Sequence, residues 1–157
     1  MPIYNRLYPD DNGRVNTAGS QDRLTQFGPI IPIAIGLAPG RLAMLQSAGL
    51  PAPAPVSGFA MIDTGASVCV IDEEALASLG ITPSGTITIS TPTGSAVQST
   101  YAASLSFPGT PLPNTNFADF VGSSLRAQGI VALIGRSVLR HFIVIYNGPG
   151  GSVSVAY

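Results

Sequence analysis

The sequence predicts a mostly β domain with one or two short helices. Glycine and proline are abundant, 18 and 14 of 157 residues, which favours short strands joined by turns over long helices. Apolar runs are brief, and stretches such as Thr86-Ile87-Thr88-Ile89-Ser90 alternate polar and apolar residues as a half-buried strand does. At 157 residues the chain fits one domain with a real core, and two full domains would be a squeeze.

Residues 1–27 are polar and turn-rich, as in Tyr8-Pro9-Asp10-Asp11-Asn12-Gly13, and read as an N-terminal arm, disordered or packed on another surface. Residues 28–157 then form the domain. A first strand covers 28–37, with Pro32 marking an edge or the strand's start. Residues 41–48 read as a short helix closed by Gly49, and Pro51-Ala52-Pro53-Ala54-Pro55 as a stiff, extended connector. Strands at 58–62 and 68–71 flank an Asp-Thr-Gly-Ala-Ser turn. Asp72 can cap a helix over 73–79, with Glu73 and Glu74 in its first turn and Gly80 beyond its end. Residues 86–90 and 96–107 make a long hairpin about Thr91-Pro92-Thr93-Gly94. Further strands follow at 117–122 and 130–134, then a last hairpin of 142–146 and 153–157 around Asn147-Gly148-Pro149-Gly150-Gly151.

Composition excludes several functions. The formal net charge is −1 and no basic cluster exists to hold a phosphate backbone, so no nucleic-acid partner is expected. The single cysteine, Cys69, rules out an internal disulfide and a cysteine-based metal cluster, and the lone His141 removes His-rich metal sites. Cys69, between Val68 and Val70, reads as a buried, inert thiol. The first residues lack the pattern of a signal peptide, and no stretch approaches the roughly 18–20 apolar residues that span a bilayer. The expectation is a soluble, cytoplasmic protein with no membrane partner. Charged residues make up only 10% of the chain, which hints that a partner or a second copy covers some apolar surface.

The segment Phe59-Ala60-Met61-Ile62-Asp63-Thr64-Gly65-Ala66-Ser67 places one carboxylate at the end of an apolar strand. A carboxylate delivered there has to be neutralised, paired or used. One reading is a local turn bond made by the Asp63 side chain. The other is chemistry: Gly65 lets another backbone approach closely, and Ala66 leaves space beside the carboxylate.

Three pieces in order, Ile62-Asp63-Thr64-Gly65-Ala66-Ser67, the hairpin around Thr91 to Gly94, and Leu133-Ile134-Gly135-Arg136-Ser137-Val138-Leu139, resemble the retropepsin-like aspartic proteases. The likeness covers about residues 28–157. It implies a closed, rolled, barrel-like acid-protease fold and an aspartic endopeptidase without metal or organic cofactor. Two carboxylates that share a proton can both activate a water and protonate a leaving group, whereas one cannot do both. The chain has a single Asp-Thr-Gly, so the second carboxylate must come from a second copy across a two-fold axis. The expected partner is therefore the chain itself, as a homodimer, with a peptide or protein substrate bound in extended form.

The resemblance also implies roles. Asp63 of one subunit is the general base on the attacking water, and the protonated Asp63 of the other binds the carbonyl oxygen. Thr64 ties the two active-site loops together across the axis, unless it is an ordinary turn residue. Gly65 offers its backbone to the substrate by β-augmentation, with Ala66 and Ser67 completing the loop and dimer contact. Thr91, Pro92, Thr93 and Gly94 are the tip of a flap that closes over the peptide, or else a plain surface hairpin. Leu133, Ile134 and Gly135 belong to the strand crossing behind the active-site loop, and their role is structural. Arg136 matches a family arginine that pairs with an acid at the position where this chain has Ser67. Its expected partner is thus missing, and Asp72 or a group on the other subunit is the candidate replacement.

The chain departs from a compact family member in its arm, where self-cleavage near Phe27-Gly28 is conceivable, and in an insertion at about 38–57. The insertion either walls the cleft, extends the dimer contact or sits on a partner. The C-terminal strand is the candidate dimer interface. Two rival readings are a catalytically inactive relative that binds peptides or proteins, and a β-rich interaction module with a coincidental Asp-Thr-Gly.

Overall fold

The computed structural model describes residues 1–91 and 94–157. Its largest sheet has seven strands in the order β2 (Ile30–Leu37), β3 (Val56–Ile62), β8 (Ala132–Ile134), β4 (Val70–Asp72), β7 (Thr115–Ser123), β6 (Gly94–Ser106) and β5 (Gly85–Thr91). A further pairing of β2 with β6 rolls this sheet closed, leaving β5 as an extension of the β6 hairpin. Closure is possible because β2 pairs on both of its edges, over ranges that overlap only at Ala34 and Ile35. Ile30 to Ile35 pair with β3, and Ala34 to Leu37 pair with β6. Pro32, which has no N–H to give, lies in the half that pairs with β3 alone. The edge that proline predicted is therefore real but only half a strand long.

Inside the rolled sheet the alternation of β2 and β3 buries Ile31, Ile33, Ile35, Ala60 and Ile62 against Ile71, Leu105, Phe120 and Ile134. The opposite face of β3 carries Phe59 and Met61, which are not fully buried. A second sheet has three antiparallel strands, β1 (Ile3–Leu7), β10 (Ser152–Ala156) and β9 (Ile143–Asn147), with β10 in the middle. Val153 and Val155 of β10 join the common core.

The helices are short. Helix α2 (Pro39–Ser47) follows the predicted insertion helix closely, starts with proline in its first turn and has no buried residue. The connector 51–55 after it is exposed and irregular. Helix α3 (Glu73–Ser78) is capped as expected, with the Ala75 N–H donating to Asp72 Oδ1 at 3.3 Å. A single turn, α4 (Arg136–Leu139), and a 3-10 turn (Arg126–Gln128) flank β8. Among the described residues no helix is long and apolar enough to cross a membrane.

Of the two alternatives expected for the N-terminal arm, disorder or packing on another surface, the structure shows the arm packed on the rest of the chain. It contains β1, which pairs with β10 over five positions, and helix α1 (Ala18–Phe27). Thr17 and Ser20 form a reciprocal capping box at the start of α1. Buried Tyr8 then pins the arm to β2: its hydroxyl donates to Gly28 O at 2.7 Å and accepts from the Ile30 N–H at 3.0 Å. The arm folds because its partners lie at the far end of the chain and at the start of β2, beyond any local window.

Candidate active site

Asp63 follows β3 directly and stays on its ladder, since its N–H donates to Ile134 O at 3.0 Å. The strands β3 and β8 run parallel, with Ile62 beside Ile134, so the Asp63 loop and the segment after β8 emerge side by side. The chain turns sharply at this point. The Gly65 and Ala66 N–H groups both donate to Asp63 Oδ1, at 2.9 and 3.2 Å. This is the local turn bond that residue types alone allowed. It uses only one oxygen; Oδ2 has no hydrogen-bond partner among the described residues, and Asp63 is partly exposed. A Cβ on Gly65 would sit 3.1 Å from Asp63 Oδ1, so the glycine keeps the carboxylate where the two N–H groups can reach it.

The second motif holds this loop from below. The first N–H groups of a helix have no partner within it. In α4 those of Arg136 and Ser137 donate to Ala66 O (2.9 Å) and Ser67 O (3.1 Å). Gly135 lies so close to the loop that a Cβ there would stand 2.1 Å from Val68 O. Its N–H donates to Cys69 Sγ at 3.1 Å, and Cys69 also meets Ser137 Oγ at 3.4 Å. Burial pushes the Cys69 thiol up, against these hydrogen bonds, which fits an inert sulfur. Its use as an acceptor for the Gly135 amide was not legible from its apolar neighbours.

Within the chain Arg136 does not pair with Asp72, the expected replacement partner there. Asp72 is engaged elsewhere: it takes hydrogen bonds from Leu125 N (3.0 Å), Arg126 Nε (3.1 Å) and Ala75 N, and its side chain is 1% exposed. Burial acts to raise the Asp72 carboxyl, but these three donors outweigh it and hold it below the usual carboxylate range. The Arg136 guanidinium instead donates through Nη1 to Thr64 O at 2.7 Å and Gly65 O at 2.8 Å. Where an acidic side chain is missing, the carbonyls of the Asp-Thr-Gly turn take its place. No such partner can be read from residue identity, because every residue has a carbonyl.

Thr64, Gly65 and Ser67 are exposed and Ala66 is partly so, while Leu133, Ile134 and Gly135 lie in or beside the core behind them. The hairpin is present as β5 and β6, with Thr91 opposite Gly94. Pro92 and Thr93, at the expected tip, lie outside the described residues. Among the described residues no group of three His, Cys, Asp or Glu side chains is placed to hold a metal ion.

A family model described as aspartyl protease matches residues 55–138. The chain belongs to the aspartyl protease family. The matched segment spans Asp63-Thr64-Gly65 and the strand, glycine and helical turn that support it. The solved structures similar to this chain include two proteases. The simian foamy virus (mac) protease is 18% identical, covers 69% of this chain and 91% of its own, and has a TM-score of 0.41. A retropepsin-like aspartic protease from Rickettsia conorii is 12% identical, covers 98% of this chain and 90% of its own, with a TM-score of 0.40. No curated protein gives a match. Family membership and the mostly β fold agree with what the Asp-Thr-Gly and Leu-Ile-Gly-Arg segments predicted.

Proposed function

We propose that the chain is an aspartic endopeptidase acting as a homodimer, in which two Asp63 carboxylates share a proton and activate a water. The observation that carries this reading is the state of Asp63. One oxygen is fixed by the Gly65 and Ala66 N–H groups, the other is unpartnered among the described residues, and the loop rests on Gly135 and Arg136. A carboxylate held this way presents a defined oxygen to a reacting water without needing to reorganise. In the proposed cycle one Asp63 takes the proton of the water as it attacks the scissile carbonyl. The protonated partner then hydrogen-bonds the carbonyl oxygen and later supplies a proton toward the leaving amine.

The exposed Thr64 and Gly65 are the proposed loop contacts to the second copy and to the substrate backbone, with Ala66 and Ser67 beside them. The β5–β6 hairpin is the proposed flap. The dimer contact needs refinement relative to the C-terminal strand expected from sequence. Strand β10 is paired on both sides within the chain, so the open edges of its sheet belong to β1 and β9. One face of that sheet exposes Ile3, Leu7, Ile143 and Ile145, which supports association through this sheet.

The test is cleavage of extended peptides at acidic to neutral pH by wild type and Asp63→Asn, beside sedimentation of both. The expected result is a dimer in each case and a loss in kcat of about 10³-fold or more in the variant. Unchanged cleavage by Asp63→Asn, or full activity from a monomer, would refute the mechanism.

A further inference from the structure

The face of β3 opposite the core opens onto a cavity of about 730 Å³, walled by Phe59, Met61, Arg6, Tyr8, Gly129 and Ile130. Its position ties it to the site. Met61 and Asp63 are two residues apart on a chain that stays on the β3–β8 ladder, so their side chains leave on the same side about 6–7 Å apart. A peptide lying over Asp63 would therefore place a neighbouring side chain at the mouth of this cavity.

The walls are mostly apolar, yet they hold an arginine without a carboxylate. The Arg6 guanidinium carbon stacks 5.3 Å from the Tyr8 ring centroid and 4.9 Å from that of Phe59. Arg6 Nε is buried without a hydrogen-bond partner, and no ion pair among the described residues includes Arg6. The other arginine in the wall, Arg23, is already paired with Asp11, and the wall has no acidic residue. Tyr8 is also satisfied, by Gly28 and Ile30, and its hydroxyl interacts with the Arg6 side chain, but a neutral phenol leaves the guanidinium charge unpaired. An arginine clamped between two rings has little freedom left to lose, and its planar fork matches a carboxylate.

Resting on the proteolytic reading of Asp63, we propose that this cavity is a specificity subsite for an acidic substrate side chain, recognised by Arg6. Glutamate fits best: its methylenes lie along Phe59 and Met61 while its carboxylate reaches the guanidinium. An uncharged, isosteric glutamine keeps the shape and loses the charge-assisted bond.

The experiment uses a panel of extended octapeptides in which each position in turn is Glu, Gln or Lys within one apolar background. Wild type should cleave the Glu peptide with kcat/KM about tenfold or more above the Gln peptide at one position, with Lys the poorest there. Arg6→Gln should bring the Glu to Gln ratio to about 1, and Arg6→Glu should put Lys ahead of Glu. The near-isosteric Arg6→Gln keeps the test open if charge reversal prevents folding. Equal cleavage of Glu and Gln at every position by wild type would overturn the subsite and leave proteolysis standing. A Glu preference that survives Arg6→Gln would also overturn it. Binding of the same peptides to Asp63→Asn separates the two claims. If no peptide is cleaved, an Arg6-dependent preference for Glu in binding supports the subsite while proteolysis fails, and equal binding overturns it.

Discussion

Replacing Gly135 by alanine is expected to damage stability and activity together, although the backbone there (φ −88°) suits any residue. The obstacle is space. The new Cβ would stand 2.1 Å from Val68 O, 2.7 Å from Val68 C and 3.0 Å from Ala66 O, all backbone atoms that cannot rotate away. Reaching even 3.0 Å from Val68 O requires the two segments to part by about 0.9 Å. Overpacking of this kind costs about 1–3 kcal/mol. The same movement stretches the bonds from Gly135 N to Cys69 Sγ, Arg136 N to Ala66 O and Ser137 N to Ser67 O, each worth about 1 kcal/mol. The expected loss is therefore about 3 kcal/mol or more, or about 6–12 °C in Tm for a chain of this size. On the proposed mechanism, a shift of about 1 Å beneath the Asp63 carboxylate also lowers turnover by on the order of 10²-fold. Urea and thermal unfolding at fixed protein concentration, beside kcat/KM on a cleaved peptide, read both effects. Gly40→Ala is the control: nothing lies within 4 Å of its Cβ position, and in the first turn of α2 the change should be neutral or mildly stabilising. A Gly135→Ala protein that melts within about 2 °C of wild type and keeps its activity would refute the packing argument.

Arg136→Met removes the hydrogen bonds to Thr64 O and Gly65 O from an exposed side chain, so Tm should move by no more than about 3 °C while kcat/KM falls about tenfold or more. Arg136→Lys should restore only part of it, because both bonds come from the single Nη1, and lysine's flexible stem holds its ammonium at that spot less firmly than the planar guanidinium does; urea unfolding and peptide kinetics check both. Asp72→Asn should weaken the fold near neutral pH by about 1–3 kcal/mol, through loss of the charged acceptor shared by Leu125, Arg126 and Ala75. Because the folded Asp72 carboxyl lies below its unfolded value, its stabilisation is full above about pH 4–5 and is lost as pH falls through the folded value. The stability gap between wild type and Asp72→Asn should accordingly shrink on acidification, measured by urea unfolding across pH 7 to 3. A gap that widens would contradict the assignment.

Much of the site was legible locally. The Asp63 turn, the Asp72 cap on α3 and the β5–β6 hairpin each depend on groups a few residues apart, so residue types and spacing predict them. Helix α1 was missed because only Ser20 and Leu24 of its residues are buried, which leaves almost no apolar periodicity to read. The fate of Arg136 was hidden for a different reason. Its expected acid is Ser67, and the replacement is a pair of carbonyls 71 and 72 residues away.

By itself the sequence determined a mostly β chain, one strand-borne carboxylate, a glycine and arginine behind it, and membership in the aspartyl protease family. These follow from periodicity, turn chemistry and motif order, all carried by short windows. Only the tertiary structure decided that β1 closes onto β10, that Asp72 belongs to Arg126 and Arg136 to the Asp-Thr-Gly turn, and that Arg6 stands between Tyr8 and Phe59. Those choices depend on which distant surfaces the rolled sheet brings together, and on how buried or exposed each polar group finally is. An arginine in the sequence is only a charge; where the chain folds it decides whether that charge props a loop or lies against two aromatic rings.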